Sequence, residues 1–463
     1  MASLVKEIQA NKPAAAQKTT KETKPKQEPP PPPTCPEINS VPLHYEIPTK
    51  TFYGLNISGH FQPLSETAMK LMLRRRGFSE TAKHPNGLTY LEEEQLRITL
   101  ENGVYYAGPL GGYPVGIHEI NGQQCLATRP ATKMEPVKGE WNTFKQFLRE
   151  LLGPETKYFC AWMKSALDSL EAGSPWSPGQ LLAIAGPGDS GKSFLQTLIT
   201  PMLGKRVSSP YKYMAGGSDF NSEIYGAEHG LIGDQNHKFD KNSRRAFGAA
   251  IKDLVVNPEQ YVRGMYKGAT TLSTFFRLTI TLNDNAQALL VLPEMDSDVA
   301  DKIMLLHAHP VAFPFPSPRY PTKHVYYTKL LSELPCFLWH LRRWQIPDKI
   351  GHQRYGVVSY KSPSLIEKMN SLSSEWKLWN LVEMYVFKDR DCTSWEGTAS
   401  ELEKLIRDEC KGENLHQLFF YPGACGSYLT SLAPKLDGAI VIKEIGGNRH
   451  FYTLTRKVLP PKR

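Results

Sequence analysis

The sequence has no run approaching eighteen consecutive apolar residues, and its first residues lack the apolar core of a secretory leader. Neither a membrane-spanning helix nor a signal peptide is therefore expected. Cysteine is sparse: Cys35, Cys125, Cys160, Cys336, Cys392, Cys410 and Cys425 are scattered, odd in number and never in a C-x-x-C pair. That spacing argues against a disulfide framework or a zinc ribbon and suits a reducing, intracellular setting. A soluble, cytoplasmic protein with no membrane partner is the expectation. Acidic residues fall short of basic ones, 46 against 55, leaving a formal charge of +9 that favours an anionic partner. Residues 1–38 also have few large apolar side chains; they include the run Pro29 to Pro33 and carry +3 over residues 1–33. Such a segment cannot offset its ordering entropy and reads as a disordered basic, Pro-rich tail.

Globular composition starts at about residue 39. Over 39–140 a small α+β domain is expected. Ser65 caps a helix through SETAMKLMLRRR that Gly77 ends, and GVYYAG (103–108) and QQCLATRP (123–130) read as strands. Arg74, Arg75 and Arg76 make a basic helix end. No catalytic constellation is visible there, in particular no paired aspartates of the kind a primase uses for two metals. From Trp141, apolar residues recur at intervals of three and four, at Phe144, Phe147, Leu148, Leu151, then Phe159, Trp162, Met163 and Ala166. They describe two amphipathic helices, a collar or lid over residues 141–178.

The most informative stretch is Leu181 to Gly204. A short apolar run precedes Gly186-x-x-x-x-Gly191-Lys192-Ser193, and Phe194, Leu195, Leu198 and Ile199 follow at helical spacing. Strand, glycine loop, helix is the arrangement that cradles phosphate. Gly186, Gly188 and Gly191 allow unusual backbone and close approach, so N–H groups from Gly186 through Asp189, Ser190 and Lys192 can point at one anion. The helix start adds its dipole. Lys192 would reach the β- and γ-phosphates, and Ser193 would ligate Mg²⁺. ATP with Mg²⁺ is the expected ligand.

Further strands are expected at HGLIGDQ (229–235), FFRLTITLN (275–283) and KIMLLHA (302–308). Strands alternating with helices imply a parallel sheet with its ligand at the strand carboxyl ends, where Gly186 to Ser193, Asp234 and Asn283 would meet. Asp234 would hold the Mg²⁺ shell, and Asn283 could orient the attacking water. His307 and His309 would share a face of the last strand, but no third ligand is in view to make them a metal site.

Glycine loop, Asp234, the segment KDLVVNPEQYVRGMYKGATT (252–271), RLTITLNDNAQALLVLPEMDSDVADKIMLL after it and ELPCFLWHLRRWQIP (333–347) together resemble the superfamily 3 helicases, nearest to the helicase part of phage and plasmid primase-helicases. The likeness spans roughly Trp141 to Arg456. It implies a P-loop NTPase (AAA+-like) core over 179–350, working as a homo-oligomer, a hexamer, on single-stranded or forked DNA. A separate primase or other replication protein could act beside it. It also implies that Gln260 to Thr271 forms a hairpin in the central channel, with Arg263, Tyr266 and Lys267 on DNA. Two departures stand out. Gln235 follows the magnesium aspartate where the family carries an acid, and glutamine cannot take a proton from water; Asp240 or Glu228 are the available substitutes. The trans-acting arginine has no clear match, leaving Lys302 as the nearest cation and Arg319 as a poorer one.

Over 351–463, helices at Glu375 to Phe387, Thr398 to Glu409 and Gly426 to Leu436, the last two capped near Thr398 and Ser427, precede two strands around Gly446-Gly447-Asn448. Helices followed by a hairpin describe a winged helix. Lys443, Arg449, Arg456 and Lys457 surround the wing, within a net +5 from Lys435 to Arg463, so DNA is its expected partner. The functional expectation is an ATP-dependent DNA helicase or translocase for replication of a phage, plasmid or mobile element. The alternative is a nucleotide-dependent DNA-binding or recruiting protein that hydrolyses little. A metabolic kinase using the same loop would leave the tail and wing without a role.

Overall fold

Leu181 to Gly186 is wholly buried, and its alternate residues enter two different hydrophobic clusters. A strand buried on both faces must sit inside a parallel sheet covered by helices on each side, and the computed structural model of the chain has that arrangement. It describes residues 41–172, 178–233, 241–264, 270–293, 295, 298–370, 373–388, 393–410, 415–416, 418–436, 438–444 and 450–456. The basic tail expected over 1–38 lies outside them.

The chain begins with strands β1 (His44–Glu46), β2 (Thr51–Leu55) and β3 (Phe61–Leu64), helices α1 (Glu66–Arg75) and α2 (Tyr90–Glu101), and β4 (Gly103–Val104). These strands form one sheet in the order β3-β2-β1-β4. Ser65 caps α1 as the sequence implies, and a Thr89–Glu92 capping box opens α2. Strands β5 (Tyr106–Gly108), β6 (Gly116–Ile120) and β7 (Gln123–Ala127) make a second small sheet. Arg74 is ion-paired with Glu80 and Arg76 is half-buried, so the basic helix end is only partly free.

Helices α3 (Asn142–Leu152) and α4 (Thr156–Glu171) lead to β8 (Leu181–Gly186), α5 (Lys192–Met202), β9 (Val207–Ser208), β10 (His229–Ile232) and α6 (Lys241–Val256). The hairpin β11 (Gln260–Val262) and β12 (Thr270–Leu272) precedes β13 (Arg277–Asn283), β14 (Ile303–His307) and α7 (Lys323–Arg343). The central sheet runs β14-β8-β13-β10-β9, all parallel. On one face lie α6 and the small sheet of β5 to β7; on the other lie α3, α4, α5 and α7. The two helices expected as a collar are thus one of the sheet's covering layers, sharing a core with Leu182, Ile184, Met304 and Leu306.

A two-residue pairing, β15 (Gly351–His352) with β16 (Gly356–Val357), then α8 (Pro363–Asn370), lead to the C-terminal part. There α9 (Ser374–Leu381), β17 (Ser394–Thr398), α10 (Ala399–Glu409), α11 (Ala424–Leu432), β18 (Ile440–Glu444) and β19 (His450–Thr455) enclose a separate core. Its antiparallel sheet has the order β17-β19-β18. Thr398 caps α10 in a capping box, whereas α11 starts at Ala424 after left-handed Gly423. Ser427 is therefore inside that helix and caps nothing. Strand β17, SWEGT, has no apolar run to announce it; pairing with β19 makes it a strand.

One long-range contact fixes the α3 layer. The residue at the N-cap of α3, Trp141, offers no capping side chain. Buried Glu333 of α7 supplies the acceptors, one oxygen 2.8 Å from the Phe144 N–H and the other 2.8 Å from the Thr143 hydroxyl that donates to it. Glu333→Ala is expected to lower unfolding stability by about 2–3 kcal/mol, read as a shift of the urea midpoint. A change below about 0.5 kcal/mol, within the range of ordinary surface substitutions, would mean that α3 does not depend on this cap.

Candidate functional site

Strand β8 ends at Gly186, where a Cβ would lie 2.3 Å from the Ala308 carbonyl of the neighbouring strand's exit. Glycine is required there by packing. The chain then turns through left-handed Asp189 (φ 55°) and Gly191 (φ 104°) before α5 begins at Lys192. Gly188 differs from expectation, because its φ is not left-handed and a Cβ there would meet nothing within 4 Å. Its lack of a side chain serves only to leave the loop face open. No side chain caps α5, so its first N–H groups stay turned toward the cleft, the condition for an anion site. The buried Lys192 ammonium is held inside the turn, donating to the carbonyls of Gly186 (2.9 Å) and Pro187 (2.6 Å) and to Ser190 Oγ (3.4 Å). Ser193 is exposed.

The loop borders a cleft of about 530 Å³, within the usual range for a small-molecule site. Asn283 lines it because β13 pairs directly with β8, in a register that sets Asn283 beside Gly186. Phe194, Phe313, Phe315 and Lys323 form the other wall. Phe313 stands edge-on to Phe194 at 5.8 Å and tilted to Phe315 at 5.2 Å, and Lys323 lies over the Phe194 ring at 5.8 Å. The sequence reading missed Phe313 and Phe315, which follow β14 in a proline-rich stretch without periodicity, and Lys323 at the start of α7.

Asp284 was missed too. Its N–H donates to the Gly186 carbonyl at 3.2 Å, and its carboxylate binds Lys368 of α8 at 2.6 Å and faces His307 Nε2 at 3.5 Å. Partial burial alone would raise its pKa, but the Lys368 ammonium, with His307, holds it below the usual value. His307 also meets Ser364 at 3.2 Å and the His309 ring at 4.8 Å. Burial, then His309, lower its pKa despite Asp284.

Asp234, Gln235 and Asp240 lie outside the described residues, as do Tyr266, Lys267, Arg449 and Lys457. Strand β10, which leads to Asp234, is tied to α5 by buried Gln196, whose amide donates to the carbonyls of Ile232 (3.0 Å) and Thr279 (3.2 Å). Glu228 cannot substitute as a base. It is fully buried at the amino end of β10, ion-paired with Arg206 and accepting from the Gly112 N–H, at the sheet edge opposite the loop. Lys302 also lies at that far edge, donating to Asp301 and to the Asp298 carbonyl at 2.7 Å each, and so does not reach its own chain's loop. Arg319 lies over Tyr320 at 5.3 Å.

The hairpin expected over 260–271 is present as antiparallel β11 and β12. Arg263 at its edge is exposed, with its N–H on Asn221 Oδ1 at 2.7 Å and its guanidinium over Phe220 at 5.8 Å. Lys443 is exposed on β18, and Arg456 follows β19 with its N–H on the Thr393 carbonyl at 2.9 Å. Neither group of residues belongs to the cleft.

Sheet, covering helices and a glycine turn at the carboxyl end of β8 define a mixed α/β protein with a ligand-sized cleft. Two solved structures share that fold. The apo structure of the NrS-1 C-terminal region aligns with a TM-score of 0.56 at 13% identity, covering 89% of this chain and 96% of that one. The A-form apo structure of the same region aligns at 0.53, with the same identity and coverage. A JCV helicase with a bound thiazolopyridine compound aligns at only 0.31 and 11% identity, over 53% of this chain and 66% of its own, too slight to bear on the fold. No protein-family model and no curated protein matches the sequence. No helix among the described residues is long and apolar enough to cross a membrane.

Beneath α5, His229 of β10 is fully buried between two hydroxyls, Thr200 Oγ1 and Thr279 Oγ1, each at 2.8 Å. Burial pushes its pKa down to about 3. The imidazole stays neutral in the fold but charges when the chain unfolds, so its contribution is full above about pH 6.5 and is lost as pH falls toward 3. Between pH 7 and pH 5 it should withdraw about 2 kcal/mol of stability. Replacing it, as His229→Asn, should flatten the pH dependence of the urea midpoint by that amount. An equal pH dependence in both proteins would show that another group carries it.

Proposed function

We propose that this chain is an ATP-dependent DNA translocase that separates strands during replication of a phage, plasmid or other mobile element. The observation that carries the reading is the register of β13 on β8. It puts a neutral amide, Asn283, beside the first residue of a phosphate-shaped turn that already holds a lysine ammonium among carbonyls. A nucleotide exchanging those carbonyl contacts for phosphate contacts would draw Lys192 outward along the same turn. The residues present fit that ligand: open N–H groups at the start of α5, an exposed hydroxyl at Ser193 and a cleft of about 530 Å³.

In this reading Gly186 to Ser193 bind the phosphates, Lys192 offsets their charge, and Ser193 and Asp234 hold Mg²⁺. When bound, Mg²⁺ would neutralise charge building on the β- and γ-oxygens. Asn283 positions a water, and Asp284, tied to Lys368, keeps the end of β13 in place. Lys302, remote from its own loop, could act only on a neighbouring subunit's site, which makes a ring, a hexamer, the expected working form. Arg263, Tyr266 and Lys267 at the hairpin, and Lys443, Arg449 and Arg456 around a winged-helix C-terminal domain, would hold DNA. The domain limits 39–140, 141–178, 179–350 and 351–463 are part of the same proposal.

Gln235 supports a second reading, a nucleotide-gated DNA-binding or recruiting protein with little hydrolysis. Glutamine orients water without accepting its proton, and buried Glu228 offers no replacement. Steady-state ATP hydrolysis with and without single-stranded DNA separates the two. DNA-stimulated turnover that falls at least about 100-fold in Lys192→Ala is the outcome expected of the motor. If the wild type is inert while Gln235→Glu hydrolyses ATP, the gated binder is the better description. A rate indifferent to DNA would point instead to a metabolic kinase.

A further inference from the structure

Helix α3 has two faces with different chemistry. Phe144, Phe147, Leu148 and Leu151 turn into the core, and Phe147 comes within 3.3 Å of where a Cβ on Gly191 would sit. Lys145 and Arg149, one helical turn apart, turn the other way. With α4 and the end of α7 they border a groove of about 240 Å³ walled by Trp141, Lys145, Arg149, Lys157, His340 and Trp344. Among the described residues no carboxylate lines it. Among the described residues the side chains of Lys145, Arg149 and Lys157 form no ion pair; Lys145 rests over Trp141 at 5.6 Å and Lys157 over Tyr158 at 5.1 Å. Half-buried Trp344 has no ring or cation partner among them. Lys145 and Arg149 also face an adjoining hollow of about 480 Å³, which Asn142, Gln146 and Glu150 complete.

Cations that form no ion pair select an anion, and the Trp344 indole beside them selects a ligand that also has flat rings. An acidic peptide supplies the first feature only, and a duplex keeps its base faces stacked away. A single strand supplies both. We infer that this groove is a second binding site for single-stranded nucleic acid, with phosphates on Lys145, Arg149 and Lys157 and a base against Trp344. It lies on the opposite face of the central sheet from the β11–β12 hairpin and needs no nucleotide in the phosphate loop.

The test is fluorescence anisotropy of a labelled oligothymidylate with the full chain over a salt series, without ATP. Lys145→Ala with Arg149→Ala should weaken binding and flatten the slope of log affinity against log salt by about 1.4, two phosphate contacts at about 0.7 each. Trp344→Ala should weaken binding by about 5- to 150-fold with the slope kept, and Trp344→Phe should recover most of it. That division between slope and affinity would not follow from a merely structural role. Unchanged affinity and slope in all variants would overturn the inference, as would polyglutamate competing as well as the oligonucleotide at equal charge. Should Trp344→Ala fail to fold, photo-crosslinking an iodouridine oligonucleotide to the wild type decides: adducts on Trp141 or Trp344 support the site, and adducts only elsewhere refute it. Loss of ATP turnover in Lys192→Ala bears on the phosphate loop alone, so either idea can fail without the other.

Discussion

The pairing of β13 with β8, rather than with β10 alone, is the constraint on which the site depends. Inserted between them, β13 brings its last residue level with the start of the glycine turn, while β10 is displaced one strand further out. Gln196 of α5 reaches both β10 and β13 through their carbonyls. His229 and Thr279 on the same two strands, with Thr200 of α5, add further hydrogen bonds. A polar network buried this deeply is stable only when its members are all paired, so sheet order and the seating of α5 depend on one another.

The helical layer follows from the same logic. Because β8 is buried on both faces, α3, α4, α5 and α7 must cover one side, and α3 is held there by a carboxylate from α7 in place of a cap of its own. Its inner face then touches the turn at Gly191 while its outer face is left to the basic groove. One helix thus separates two ligand-sized hollows with quite different linings.

What could be read from the sequence was local. The apolar run, glycine turn and helix of 181–204 announce themselves because each signal lies within a few residues of the next. Strands ending near Asp234 and Asn283 were legible as short apolar or β-branched runs, and the C-terminal strands as two such runs about a glycine pair. What escaped was non-local. Glu333 sits almost two hundred positions from the N–H it caps; Gln196 looks like any polar helix residue; β17 gains its strand character from β19. Phe313, Phe315 and Lys323 join the cleft only because the chain after β14 doubles back over it. The misplaced cap at Ser427 has a simple cause: left-handed Gly423 is the N-cap, four residues before the serine. Glu228 looked available because adjacency in sequence to a strand says nothing about which end of the sheet it occupies.

The Asp284–Lys368 ion pair has a mechanical meaning. It joins the tip of β13 to α8, the last helix before the C-terminal part, and Leu305 and Ser362 are hydrogen-bonded beside it. Both ends of the pair are partly open to solvent, so the strength with which it holds α8 to the strand tip is set by salt.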